Sequence, residues 1–276
     1  MSTKISLEGV GKLNTLYLPV EKSKACIVLI HGLGEHIERY HQLATYFNTR
    51  EYSFIGVDLP GHGRSPGRRG HIWSFGVFNA LIDSMADYII DKEGDIPLIL
   101  YGHSLGGGMA LRYLTDNNKF YRGIISSPWI KLSFDPPKFK LILASIIEKL
   151  APGLLQPSGL NPHDISTDKN IVSEYGSDPL IHSKISVKLF FLARNNGIEL
   201  LAGKNKLKTP VLILHSKTDR ITSPGGSSEF ASNNKLADIK IWNDGLHELH
   251  NEVFREDVLS YIYKWLERKD EIKNTN

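Results

Sequence analysis

The chain has 276 residues, 41% hydrophobic and 23% charged, a composition that excludes collagen-like, disordered and coiled-coil classes. Lys and Arg number 33 against 30 Asp and Glu, and this net charge of +3 is too balanced to mark a nucleic-acid partner. A single cysteine, Cys26, excludes an internal disulfide and a zinc site of clustered cysteines.

The N-terminus carries no apolar run of secretory type, and residues 4–18 predict one or two antiparallel edge strands. Ala25–Ile30 predicts a buried strand, Tyr40–Thr49 a helix, Ser53–Val57 a strand and Trp73–Lys92 a helix. Ile96–Tyr101 (strand), Leu105–Thr115 (helix) and Tyr121–Ser126 (strand) continue the alternation. From Trp129 to about Lys206 the alternation stops. An apolar stripe (Phe139, Ile142, Leu143, Ile146, Ile147, Leu150) predicts one helix there and Ser186–Leu201 another, with Pro and Gly punctuation between them. Val211–His215, Gly226–Asn233, Asp238–Trp242 and Asn251–Glu267 then predict strand, helix, strand and helix. The polar tail, Arg268–Asn276, is expected to fray.

Unalternated apolar strands separated by helices predict an α/β fold: a mainly parallel sheet with helices on both faces. Residues 1–128 and 207–276 are expected to form this core, and residues 129–206 an inserted helical cap. No stretch reaches the roughly 20 consecutive apolar residues of a membrane span, so a cytoplasmic protein is expected.

Gly102-His103-Ser104-Leu105-Gly106 fits G-x-S-x-G between a predicted strand and a predicted helix, the setting of a nucleophile elbow. A serine needs an imidazole base, and the base needs a carboxylate. In this architecture the order is Ser, acid, His. His215, His247 and His250 follow the insertion. His247 lies after the last predicted strand, at the sheet edge that Ser104 occupies. His250 opens the next predicted helix, and His215 ends a strand and reads as packed. Asp219 follows the penultimate strand. Asp238 begins a strand at the opposite edge, and Asp244 stays open on spacing alone. The Gly-rich loop His31-Gly32-Leu33-Gly34-Glu35-His36 is a candidate source of oxyanion amides through Leu33, with Leu105 as the second donor.

Several segments together resemble one family. His31–His36 followed by Arg39-Tyr40 resembles the H-G-x-G-E-H…R-Y segment of monoacylglycerol lipases and lysophospholipase-like hydrolases. Asp58-Leu-Pro-Gly-His-Gly-Arg-Ser65 resembles a loop found across α/β-hydrolases, and Gly67–His71 its continuation in this branch. Gly245–Glu252 is similar to the H-E-L-x-N-E segment around the catalytic histidine. The resemblance covers most of the core, while the insertion matches only in position and apolar character. It implies an α/β-hydrolase fold, Ser104, Asp219 and His247 as the triad, Leu33 and Leu105 as oxyanion amides, and an acyl-enzyme mechanism with no metal or cofactor. The implied substrate is an acyl ester, a monoacylglycerol or lysophospholipid.

Gly32, Glu35 and His36 are candidates for the alcohol side of the substrate, with Glu35, His36 and Arg39 reading also as ties from this loop to its neighbours; Ile142 and Ile146 are candidates for the acyl wall, unless their stripe packs on the core. An exposed cap stripe would also allow contact with a membrane surface. His103 is expected to turn away from the site. The rival readings are an aminopeptidase, a thioesterase or aryl esterase, and a non-catalytic binding protein on the same fold. Ser at position 104 argues against a dehalogenase or epoxide hydrolase, which would carry Asp there.

Overall fold

Side chains alternate across a strand, so a strand covered on both faces needs an unbroken apolar run. The computed structural model describes residues 4–204 and 206–268, and its central strands form where such runs occur. In chain order the core opens with β1 (Lys4–Leu7), β2 (Gly11–Leu18), β3 (Ala25–Ile30), α1 (His41–Asn48) and β4 (Tyr52–Val57). It continues with α2 (Phe75–Glu93), β5 (Leu98–His103), α3 (Ser104–Asp116) and β6 (Arg122–Ser126). An insertion follows, with α4 (Lys138–Leu150), β7 (Leu155–Pro157), α5 (Lys169–Ser177), β8 (Lys184–Ser186) and α6 (Val187–Leu201). The core then closes with β9 (Val211–Ser216), α7 (Pro224–Ser232), β10 (Ala237–Trp242) and α8 (Arg255–Leu266).

Eight strands form one sheet in the order β1-β2-β4-β3-β5-β6-β9-β10. β1 pairs antiparallel with β2, and β2 with β4; every other pairing in this sheet is parallel. Cys26, Val28 and Ile30 of β3 pack under Ile82 and Met85 of α2 and Leu111 of α3. Ala25, Ile27 and Leu29 point the other way, under Phe47 of α1 and Ile262 of α8. Cys26 is fully buried.

Strand order reverses at β3. From there β4 lies to one side and β5, β6, β9 and β10 to the other, so the loops after β3 and β5 leave adjacent strands at one sheet edge. A crevice at such a switch point is where open α/β sheets bind ligands. The predicted strand at Ile96 starts two residues later, at Leu98, because Pro97 has no N–H for the ladder. The predicted helix at Asn251 starts at Arg255, after a 3-10 turn over Leu249–Asn251.

The insertion holds three elements the sequence did not announce. β7 and β8 pair antiparallel through Gln156 and Ile185, and α5 is capped by Asp168, whose carboxylate accepts the Asn170 N–H. α6 sits close to the core. Leu189, Ala193 and Leu200 share the apolar cluster of α2 and α3, and Asn196 donates to the Gly108 carbonyl at 2.8 Å. The predicted frayed tail lies, beyond Arg268, outside the described residues.

Candidate active site

The turn from β5 into α3 places Ser104 with φ of 53°, in the left-handed region that costs a residue with a Cβ. The neighbours on either side have no room for one. A Cβ on Gly102 would lie 2.6 Å from the Gly106 carbonyl oxygen, and a Cβ on Gly106 would run into the Ile30 carbonyl of β3. The tight turn of β5 into α3 demands the first glycine, and the close approach of α3 to β3 demands the second.

Ser104 Oγ lies 2.8 Å from His247 Nε2, and His247 Nδ1 lies 2.7 Å from Asp219 Oδ2. The Nδ1 proton faces the carboxylate, which leaves the Nε2 lone pair toward the serine hydroxyl. Asp219 follows β9 and is fixed by its own turn: Oδ1 accepts the N–H of Ile221 at 2.8 Å and of Thr222 at 3.0 Å. His247 follows β10, and its carbonyl accepts the Ser127 hydroxyl at 2.7 Å. Burial pushes the Asp219 carboxyl up. The charge and hydrogen bonds of His247 and His215 outweigh it and hold the group far below the usual carboxylate range. Burial pushes His247 down, and the adjacent Asp219 charge and hydrogen bond reverse that and leave it raised. Asp238 instead accepts the Trp265 indole N–H at 2.7 Å, far from this cluster in role.

Leu105 lies in the first turn of α3, where backbone N–H groups have no intrahelical acceptor. Leu33 borders the same space from the loop after β3. Beside it, Glu35 Oε1 accepts the Gly32 N–H at 2.5 Å and the Tyr40 hydroxyl at 2.8 Å. Arg39 bridges Glu35 and Glu248, and its guanidinium lies 4.8 Å from the Tyr175 ring of α5. Burial and the nearby Glu248 charge push Glu35 up. Burial pushes Glu248 up too, but Arg39 prevails and holds it down.

A recess of about 20 Å³ opens at Ser104 between Gly32, Glu35, His103, Tyr175, His247 and Glu248. His103 does not turn away, contrary to expectation: its ring lies 4.8 Å from that of His247 and borders the recess. Of the two readings of His36, the contact favours the tie, because its Nε2 is held 2.7 Å from Asp178 of the insertion. His215 does more than pack, since its Nε2 lies 3.1 Å from Asp219 Oδ2. His250 lies behind His103, stacked on Tyr40 with ring centroids 4.7 Å apart. Apart from His215–Asp219, four residues apart, these contacts join residues distant in the chain, so no local pattern announces them.

On the other side of Ser104 a cavity of about 440 Å³ runs under the insertion. Leu33, Ser104, Leu160 and Ile221 border both spaces, so the two meet at the serine. Its apolar wall includes Trp129, Leu132, Leu141, Ala144, Ile185 and Phe190. The expected wall residues Ile142 and Ile146 are absent from it. They are 64% and 52% exposed, because α4 turns Leu141 and Ala144 inward and its larger apolar side chains outward.

The sheet topology, the strained serine turn and the Ser–His–Asp chain of hydrogen bonds define an α/β-hydrolase. The profile of the serine aminopeptidase S33 family matches residues 21–253. The chain is 32% identical to an abhydrolase domain-containing protein of Dictyostelium discoideum over 94% of this chain and 28% of that one. It is 27% identical to the monoacylglycerol lipase of Mycolicibacterium smegmatis over 95% of each chain. It therefore spans less than a third of the first relative and nearly all of the second. The crystal structure of Paleococcus ferrophilus monoacylglycerol lipase superposes with a TM-score of 0.84 at 33% identity, covering 92% of this chain and 98% of that one. The chain belongs to the serine aminopeptidase S33 family of α/β-hydrolases, in its monoacylglycerol lipase-like branch.

Proposed function

We propose that this ester hydrolase cleaves monoacylglycerols, with Ser104 as nucleophile, His247 as base and Asp219 as the orienting carboxylate. The observation that carries the reading is the unbroken hydrogen-bond chain from Ser104 through His247 to Asp219, at the junction of an apolar cavity and a polar recess. Ser104 Oγ attacks the ester carbonyl while its proton passes to His247 Nε2. Asp219 holds the imidazole and stabilises its charged form. The Leu33 and Leu105 amides receive the oxyanion. His247 then protonates the leaving alcohol, and water repeats the sequence on the acyl-enzyme. No step calls on a metal or cofactor.

The cavity suits an acyl chain, since burial of each CH₂ contributes about 0.8 kcal/mol. The recess has room for about one water-sized group beside Ser104, so the leaving alcohol shares the larger cavity. Residues 129–206 serve as the cap over both. A lysophospholipid would share the acyl cavity and differ in its head group.

The family takes its name from aminopeptidases, which need an acidic group to hold a free amine. Glu148 pairs with Lys188, Asp168 caps α5 and Asp178 pairs with His36; Asp164, the insertion acid that borders the cavity among the described residues, pairs with Arg220. Their engagement favours the ester reading.

The outer face of α4 exposes Phe139, Ile142, Leu143, Ile146 and Leu150 beside Lys138 and Lys149. An apolar face of this kind at the rim of the cavity suits transient contact with a lipid surface. Among the described residues no helix is long and apolar enough to cross a membrane.

The deciding experiment offers monoacylglycerols, lysophospholipid, aryl esters and an aminoacyl amide to wild type and Ser104→Ala, alongside fluorophosphonate labelling. Preferential monoacylglycerol hydrolysis and labelling, both lost in Ser104→Ala, support the reading. Activity that survives the substitution, or a preference for the aminoacyl amide, overturns it.

A further inference from the structure

Asp219 is met by two imidazoles. His247 approaches Oδ2 at 2.7 Å on the side of Ser104, and His215 approaches the same oxygen at 3.1 Å from behind. His215 is the penultimate residue of β9 and is wholly buried. Its Nε2 faces oxygens only: Asp219 Oδ2 and the Thr222 carbonyl, both at 3.1 Å, and the Thr222 hydroxyl at 3.3 Å. Nε2 therefore carries the proton. Nδ1 lies 2.8 Å from Ser227 Oγ of α7, so it accepts from that hydroxyl, and the tautomer is set from both ends of the ring.

We propose that His215, held by Ser227, is a positioning residue that fixes the Asp219 carboxylate and withdraws part of its charge from His247. The inference rests on the triad assigned under Proposed function. The physical argument concerns one oxygen with several donors. Asp219 Oδ2 takes His247, His215 and the Thr222 hydroxyl (3.0 Å), while Oδ1 takes two backbone amides. With one donor removed, the carboxylate can rotate and its remaining charge falls more fully on His247. Looser orientation lowers turnover, and a stronger field makes the imidazole a tighter proton holder.

The charged and titratable groups around this pair are few. His247 faces Asp219 after β9, His103 at the end of β5, Glu35 in the loop after β3, and Glu248 and His250 in its own loop. Arg39 reaches the same cluster through Glu35 and Glu248. On the far side of Asp219, His215 and Thr222 are its side-chain partners among the described hydrogen bonds.

The test compares His215→Leu, His215→Gln and Ser227→Ala in the full chain, using steady-state kinetics across pH on a soluble short-chain ester and a thermal melt of each variant. The expected result for His215→Leu is a fall in kcat of about tenfold or more, the scale of a hydrogen bond to a charged group, with KM little changed. The acid limb of kcat/KM should move to higher pH. His215→Gln, which restores an N–H donor, should recover most of kcat and return the limb toward wild type. Ser227→Ala should give a smaller change in the same direction. A His215→Leu enzyme that melts lower but keeps its kcat and acid limb overturns the proposal and leaves His215 structural. So does a Gln variant no better than Leu. If His215→Leu does not fold, Ser227→Ala decides alone, and an unmoved acid limb overturns the proposal. Parallel loss of activity in Ser104→Ala and His247→Ala keeps the triad assignment standing in each case. Its survival there instead overturns the triad itself.

Discussion

The Glu35 carboxylate holds the backbone N–H of Gly32, three residues earlier in the same loop, at 2.5 Å. That bond shapes the loop that presents Leu33, so Glu35 bears on the oxyanion from one residue further away. Glu35→Ala is expected to lower kcat about tenfold or more on a short-chain ester while KM changes little. Steady-state kinetics check this. A raised KM at unchanged kcat would mean that Glu35 binds substrate instead.

Asp219→Asn keeps the shape of the side chain and replaces the acceptor that faces His247 Nδ1. The imidazole then favours the wrong tautomer, and kcat should fall on the order of 10⁴-fold, with a lowered melting temperature because the buried carboxylate loses its charge. Single-turnover acylation by a p-nitrophenyl ester measures it. A loss of only a few-fold would rule out this carboxylate as the partner of His247.

The raised affinity of His247 for protons has a sign that can be worked out. The base works only when neutral, so activity is lost as pH falls through its raised value. The acid limb of kcat/KM should therefore lie above the ordinary histidine value of about 6.5. A pH series from mildly acidic to alkaline buffer reads the limb directly. A midpoint well below that value would contradict the Asp219–His247 geometry.

Arg39 is the cation between two buried carboxylates, Glu35 and Glu248. Arg39→Ala strands both, and breaking a buried ionic group in this way costs about 3–5 kcal/mol. Urea unfolding at neutral pH should show a loss on that scale, partly recovered at lower pH as Glu35, already raised, takes up a proton. A loss below about 1 kcal/mol would place the group in effective contact with water.

Ile142→Ser with Ile146→Ser changes only outward-facing positions of α4. Hydrolysis of monoacylglycerol presented in vesicles should fall several-fold, whereas hydrolysis of a soluble ester should stay at the wild-type rate. Vesicle co-sedimentation reports the binding step. Equal vesicle rates in both proteins would remove the lipid-surface role of this helix.

The central strands β3, β4, β5, β6 and β9 were legible because each is buried on both faces, so burial writes an unbroken apolar run such as Ala25–Ile30 into the chain. The serine turn was legible because α3 folds back onto Gly102 and β3 passes close to Gly106, so that both positions require glycine. The insertion was much less so. β7 and β8 are three residues each and carry mixed polarity, too short for a period to show. The stripe on α4 announced a helix but not its neighbour, and its apolar residues proved to face outward. The contact of His103 depends on where another element brings His247, and one strand's sequence does not encode that; His215 meets Asp219 through the turn after β9, four residues on.

The single thiol of the chain, Cys26, is shut inside β3 with no exposed surface. Sulfhydryl reagents therefore have no native target on the folded protein, and turnover should be indifferent to them. A cysteine introduced on the outer face of α4 would then be the sole point of attachment for a fluorophore or spin label, giving a background-free reporter of that helix during turnover.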